Sequence, residues 1–248
     1  MKEAIVEIER IKKSINELRL SGIHESLDRR IAEALADNLS YEVFLSLLIE
    51  DERQSRKNKI AKKLDTLAQF RRESYFENWD SGIDRGLSKQ KVRELSTVGF
   101  FQEKKNLIIL GPTGCGKTHL SIAIGKSACQ LQLSVLFTSL NQLFEDALSH
   151  RVSGKYATWS KKTKNIDIII FDDFGLRTYT HDEAIILLDL IEDRYQKKVH
   201  IFSSQVEVEG WKTLFEDPVI ADAIVDRIKN PSEKIKMTGG SYRERIGK

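Results

Sequence analysis

Gly111-Pro112-Thr113-Gly114-Cys115-Gly116-Lys117-Thr118 follows the apolar run Asn106-Leu107-Ile108-Ile109-Leu110 and leads into His119 to Leu131, a stretch with helical patterning. Strand, glycine-rich turn and helix, in that order, are the setting in which G-x-x-x-x-G-K-[ST] binds phosphate. Backbone N–H groups of such a turn, with a helix N-terminus behind them, present partial positive charge to phosphate oxygens. On this reading Gly111, Pro112, Thr113, Gly114, Cys115, Gly116, Lys117, Thr118 and His119 form the nucleotide-binding loop. Lys117 reaches the β- and γ-phosphates of ATP, and the Thr118 hydroxyl binds Mg²⁺. The competing reading is a glycine-rich turn with no ligand, and the flanking strand and helix signals weigh against it.

Further along, Ile168-Ile169-Ile170-Phe171 is apolar enough for a parallel strand buried on both faces, and Asp172-Asp173 follows it. Ligands of open α/β sheets bind at that end of a strand. Asp172 is placed to hold Mg²⁺ and Asp173 to polarise an attacking water; the alternative is a turn signal. Val199 to Gln205 reads as another strand, with Gln205 at its tip as a contact to the γ-phosphate or the water, or else a strand-end cap. Ser134 to Thr138 and Lys234 to Thr238 read as further strands, and Leu140 to Leu148 as helix. Thr180 and Glu183 form a capping box ahead of a long helix, and Asp217-Pro218 opens one that runs through Arg227 to Lys229. Strands alternating with helices predict an α/β fold with a doubly wound parallel sheet.

The N-terminal part has no strand signal. Ile8, Ile11, Ile15 and Leu18 make one helical stripe that Gly22 would stop; Leu27, Ile31 and Leu35 make a second. Ser40 is the N-cap of a third, carrying Phe44, Leu47 and Leu48. Residues 1–68 therefore read as a small all-α bundle that contacts DNA or a partner, or is a structural appendage, and residues 69–248 as the nucleotide domain. Arg53, Arg56, Lys57, Lys59, Lys62 and Lys63 form a basic run, with Ile60, Leu64 and Leu67 at helical spacing for packing. A second run, with Lys155, Lys161, Lys162 and Lys164 among Tyr156 and Trp159, interleaves charge with aromatic rings. Both suit a DNA backbone; the alternatives are a solvated helix face for the first and a solvated loop with one aromatic tucked into the core for the second. In the looser stretch from Phe70 to Glu103, Tyr75, Phe76 and Ile83 either pack on an adenine base or belong to the core.

The chain's 40 Lys and Arg against 37 Asp and Glu leave a net charge of +3, too small by itself to argue for nucleic acid. Two cysteines, Cys115 and Cys129, cannot build a disulfide framework or a four-cysteine metal site, which fits a reduced, cytoplasmic setting. No apolar segment approaches the ~20 residues that span a bilayer, and Met1-Lys2-Glu3 lacks the apolar stretch of a signal peptide.

Five blocks together resemble the IstB family of AAA+ ATPases, the helpers of bacterial insertion sequences and relatives of the DnaC helicase loaders. They are Gly111 to Leu120, Ile170 to Leu176, Ser203 to Gln205, Asp217 to Arg227 and Gly240 to Arg243. The resemblance implies an AAA+ P-loop fold, ATP hydrolysis, and ATP-dependent self-association on double-stranded DNA to prepare a target for a transposase. By position Gly111 to Thr118 match Walker A, Asp172 and Asp173 match Walker B, and Gln205 matches sensor I. Arg227 falls in the block that carries the arginine finger acting on a neighbouring subunit, and Arg243 where a sensor II arginine is expected. The catalytic set implied is thus Lys117, Asp173, Gln205, Arg227 and Arg243. Asp173 departs from the usual glutamate, which implies slow hydrolysis or a need for DNA or a partner. Val206-Glu207 departs from the proline that often follows sensor I. The rival readings are a helicase loader preferring single strands, a small-molecule kinase, and a module in which ATP is only a clamp.

Overall fold

Four short apolar runs and one polar edge strand, joined by helical segments, assemble into one all-parallel sheet of order β2-β3-β4-β1-β5. The computed structural model describes residues 2–80 and 84–240. Its strands are β1 (Asn106–Leu110), β2 (Val135–Thr138), β3 (Ile168–Phe174), β4 (Val199–Ser204) and β5 (Ser232–Lys236). Its helices are α1 (Lys2–Glu17), α2 (Ser21–Asp37), α3 (Tyr41–Leu67), α4 (Lys89–Ser96), α5 (Gly99–Gln102), α6 (Lys117–Gln130), α7 (Leu140–Val152), α8 (Tyr156–Asn165), α9 (His181–Arg194) and α10 (Pro218–Lys229). Among the described residues no helix is long and apolar enough to cross a membrane.

Two compact units account for these elements, residues 1–63 and 64–248. The division falls within α3, a few residues before the 68/69 boundary read from the sequence, because Ala68 is fully buried in the core of the second unit and Leu64 packs against it.

Alternation along each strand explains why the sheet is apolar on both faces. Ile108, Leu110, Ile169, Phe171 and Phe202 point into one core, covered by α7, α9 and α10. Leu107, Ile109, Ile168, Ile170 and Ile201 point into the other, covered by α4, α5 and α6. With period-2 side chains and helices on both sides, every residue of β1 and β4 and of Ile168 to Asp172 is buried, which is what a continuous Ile/Leu run encodes. The helix starts follow local chemistry. Thr180 and Glu183 close the capping box of α9, and Asp217 accepts the Val219 and Ile220 N–H groups ahead of Pro218.

Two buried cations tie elements together. Arg194, fully buried at the end of α9, donates to the Lys164 and Ile166 carbonyls that terminate α8, to the Val199 carbonyl of β4, and to His200 Nε2 at 2.9 Å. It thereby satisfies carbonyls that α8 leaves without intrahelical partners. Lys126, in the middle of α6 and 3% exposed, donates to Asp65 at 3.0 Å and Glu73 at 2.8 Å. Its ammonium also lies 4.6 Å from the Tyr75 ring centroid, so Tyr75 is engaged away from any base.

In the N-terminal unit the core is Ile15, Leu27 and Leu48, with Ile23, Ile31 and Phe44 against it. The stripes predicted from spacing are only half used: Ile11, Leu18 and Leu35 are exposed. Gly22 does not stop a helix. α1 already ends at Glu17, Arg19 turns the chain with φ +58°, and Gly22 lies inside α2. A Cβ on Gly22 would come within 2.7 Å of the Asp51 carbonyl oxygen and the Glu52 Cα, so glycine is what lets α2 and α3 touch. That approach lets the buried Glu52 carboxylate accept the Gly22 and Ile23 N–H groups, at 2.7 and 3.3 Å, and cap α2 from a distant helix. Burial pushes the Glu52 carboxyl up, but Arg56 and the two N–H groups hold it, on balance, below its ordinary value.

Beside it, Arg30 grips Asp51 with two bonds of 2.7 Å and holds its carboxyl down at about 2. A depressed carboxylate contributes stability that is complete above its unfolded value near 4 and is lost as pH falls through 2. After allowance for solvent screening the pair is worth about 1 kcal/mol. Hydrogen exchange of α2 amides should therefore accelerate as pH drops from 4 to 2 in excess of intrinsic rates, and Asp51→Asn should remove that acid limb.

Candidate nucleotide site

The phosphate loop spans from the end of β1 to the start of α6. A Cβ at Gly111 would stand 2.6 Å from the Met237 carbonyl oxygen and 2.9 Å from Cys115 Sγ, so the loop can pass beneath the chain leaving β5 only with glycine there. Cys115, 2% exposed, is packing filler. Lys117 is also buried, and its ammonium donates to the Gly111 and Pro112 carbonyls at 2.8 and 2.9 Å. It is thus held across the mouth of the loop.

The acidic pair belongs to β3 itself, which runs on to Phe174 instead of ending before Asp172. The register with β4 slips between Phe171 and Phe174, and Asp173 takes a left-handed backbone, φ +54°. This bulge points the two carboxylates differently: Asp172 is 3% exposed, while Asp173 is exposed at the wall of the cavity. Thr118 Oγ1 donates to Asp172, 3.1 Å from both carboxylate oxygens. Ser203 Oγ donates to Asp172 Oδ1 at 2.5 Å and accepts the Asp173 N–H at 3.1 Å. Burial pushes the Asp172 carboxyl up and Asp173 adds to this, while the Ser203 and Thr118 hydroxyls pull it back.

At the tip of β4, Gln205 Oε1 accepts from the Thr113 hydroxyl at 2.7 Å, which joins the end of that strand to the glycine-rich loop. The following Val206-Glu207 is fixed without a proline. Ser204 Oγ accepts the Val206 N–H, and the Val206 carbonyl accepts Trp211 Nε1 at 2.9 Å.

Gly114, Gly116, Lys117, Asp173 and Gln205 line one cavity of 230 Å³. Two observations fit a nucleotide there. His119, on the same wall, has a buried Nε2 without a hydrogen-bond partner among the described residues, and the loop is closed to any Cβ at Gly111. A hydroxyl and a carboxylate side by side at the phosphate end also suit Mg²⁺, which keeps most of its waters and takes few protein ligands.

A profile of IstB-like ATP binding proteins matches residues 13–248. The chain belongs to that family. An insertion sequence ATP-binding protein of Sinorhizobium fredii is 31% identical over 92% of this chain and 94% of its own length. Among solved structures, DnaI aligns with TM-score 0.54 and 22% identity over 68% of this chain and 90% of its own. The DnaC helicase loader aligns with TM-score 0.54 and 19% identity over 66% and 96%. The sheet is thus of the AAA+ type, and this member of the IstB-like family binds ATP and is an ATPase.

The other residues singled out in the sequence lie elsewhere. Arg227, in the last turn of α10, donates to the Ala223 carbonyl at 3.0 Å, pairs with Glu192, and lines a separate depression with Gln196 and Lys198. Arg243 and Ile83 lie outside the described residues. On α3, Arg53 and Arg56 pair with Glu50 and Glu52, Lys59 donates to Ser21, and Lys57 and Lys63 are exposed. Of the three positions read as packing, Leu64 packs on the core of the second unit, while Ile60 and Leu67 are 46% and 56% exposed. The second basic run forms α8 rather than a loop. Tyr156 and Trp159 pack on the core, with His150 stacked at 5.7 Å from Trp159 and Arg151 at 4.8 Å from Tyr156. Lys155, Lys161 and Lys162 are exposed, and Lys164 pairs with Asp193.

Three cavity residues escape sequence reasoning: Arg72, Asn78 and Arg85. Arg85, 7% exposed, lies 4.4 Å over the Trp79 ring, and Trp79 packs on His119 at 5.8 Å. They come from an irregular segment, where no periodicity marks a direction for a side chain. Ser203 does leave a signal, as a polar residue closing an apolar strand.

Because Ser203 serves both aspartates, Ser203→Ala should lower kcat for ATP hydrolysis about 10- to 100-fold while KM moves less than about threefold. Ser203→Thr, which keeps the hydroxyl, should recover most of the rate. Steady-state kinetics, paired with nucleotide affinity in the presence and absence of Mg²⁺, checks both outcomes.

Proposed function

We propose that this chain is a helper ATPase of insertion-sequence transposition, which assembles on duplex DNA in the cytoplasm when ATP is bound and presents that DNA to a transposase. The observation that carries the assembly reading is the position of Arg227. It stands at the end of α10 and is not among the residues lining the phosphate cavity of its own chain. A cation there serves a γ-phosphate only across a subunit boundary, the arrangement of an arginine finger supplied in trans. The transposition reading is supported by the Sinorhizobium fredii relative, whose name ties it to an insertion sequence.

Within the site, Lys117 neutralises phosphate charge, Thr118 and Asp172 hold Mg²⁺, Asp173 orients the attacking water and Gln205 senses the γ-phosphate. Bound Mg²⁺ supplies Lewis-acid stabilisation of the phosphoryl oxygens. Asp173 is one methylene shorter than a glutamate, so hydrolysis is slow until assembly aligns the water. DNA contact is placed on the α3 run around Lys57 and Lys63, where exposed cations lie along one helix. Such contacts weaken steeply with salt.

Light scattering of the chain with duplex DNA should rise with ATP and stay flat with ADP or no nucleotide, and Lys117→Ala should abolish the rise. Growth that ignores the nucleotide, or that appears only on single strands as for a helicase loader, contradicts the proposal. Mixing tests the trans arginine. Arg227→Ala and Asp173→Asn, which keeps the Lys117 phosphate contact, should each be inactive alone, whereas an equimolar mixture should regain roughly a quarter of wild-type ATPase, the share of interfaces joining an intact site to an intact arginine.

A further inference from the structure

A groove of 840 Å³ lies away from the nucleotide cavity, between the last turn of α3 and the α7–α8 pair, with β2 as its floor. Its apolar surface comes from Leu64, Leu67, Leu136, Trp159 and Ile166. Leu67 is 56% exposed, which is a large apolar exposure beside a concave surface. Lys155 and Lys162 stand on the rim, exposed and without a carboxylate partner among the described residues. The carboxylate on the wall, Asp146, accepts from Gln142 at 3.0 Å.

The chemistry of the walls selects the occupant. A small polar ligand needs convergent hydrogen-bonding groups. Here the buried or half-buried ones are engaged within the protein, and Gln69, Thr158 and Asn165 are exposed at the surface. The Thr163 hydroxyl donates to the Trp159 carbonyl, Ser134 donates to Asp167, and His150 Nδ1 bonds the Asp146 carbonyl. A nucleic acid needs a cationic track and open aromatic faces. Trp159 is instead stacked with His150 and packed on the core, and the floor is aliphatic. A strand added to the sheet edge is obstructed, because the Phe137 N–H of β2 already bonds the Ala68 carbonyl at 2.8 Å. What remains is an apolar trough with two cations at its lip, the complement of a helix with apolar residues on one face and carboxylates along its border.

We infer that this groove docks an acidic amphipathic segment of a partner protein, its apolar side chains seated on Leu67, Leu136 and Ile166 and its carboxylates on Lys155 and Lys162. The site is independent of the nucleotide chemistry and of the DNA surface placed on α3.

The test is selection from a displayed random library of peptides about a dozen residues long on the full chain, with counter-selection on the K155E/K162E double variant. The enriched peptides should space Asp or Glu with Leu, Phe or Trp at helical intervals. A fluorescent copy of the best sequence should lose at least about tenfold in affinity with K155E/K162E and with Leu67→Glu. Both variants should melt as wild type, and Leu67→Glu should hydrolyse ATP at the wild-type rate without DNA. Several results would overturn the assignment: no enrichment, enriched sequences without acids, or peptide binding indifferent to both variants. Two further outcomes also reject it. If K155E/K162E removes duplex DNA binding and spares the peptide, the groove is a nucleic-acid surface. If Leu67→Glu abolishes self-association of the chain, a second copy fills the groove.

Discussion

A carboxylate that is 3% exposed at the end of a buried strand must be given hydrogen bonds or be neutralised, since an unpaired charge there costs several kcal/mol. Asp172 obtains them from Thr118 on α6 and Ser203 on β4. Meeting that requirement ties the glycine-rich loop's helix, the acidic strand and β4 together at one end of the sheet. Gln205, two residues beyond Ser203, is thereby brought to Thr113, and the Asp173 N–H is drawn to the same serine hydroxyl. The site is a consequence of satisfying a single buried group.

The parts legible in the sequence are those governed by local rules. Ile168 to Phe171 announces a strand buried on both faces because each residue has a core to enter, and Thr180 with Glu183 marks a helix start because the box is closed within four positions. Gly22 is misread because its reason, Glu52, lies in a different helix. β3 is read too short because its extension through the acidic pair depends on a register slip against β4 that no single strand encodes. The aromatic residues of the 151–164 stretch look like a stacking platform until α8 forms and turns them to the core. Arg72, Asn78 and Arg85 reach the cavity through an irregular path that leaves no pattern at all.

Charge in the interior also has a mechanical use here. Lys126 fastens the end of α3 and the lead-in segment to the helix that follows the phosphate loop, and Arg194 gathers the end of α8 and the start of β4. Long cations suit this work because the aliphatic stem packs while the head serves several acceptors. The aromatic rings of Phe70 and Tyr75 complete the surroundings of Lys126.

The left-handed backbone at Asp173 makes the bulge in β3 and the serine bridge interdependent. That region of conformational space admits glycine freely and asparagine or aspartate at modest cost, and other residues more rarely. A change that moved residue 173 out of that region would realign β3 against β4 and take the Asp173 N–H from Ser203 in the same step. The bulge and the Ser203 bridge therefore stand or fall together, and the direction of both carboxylates goes with them.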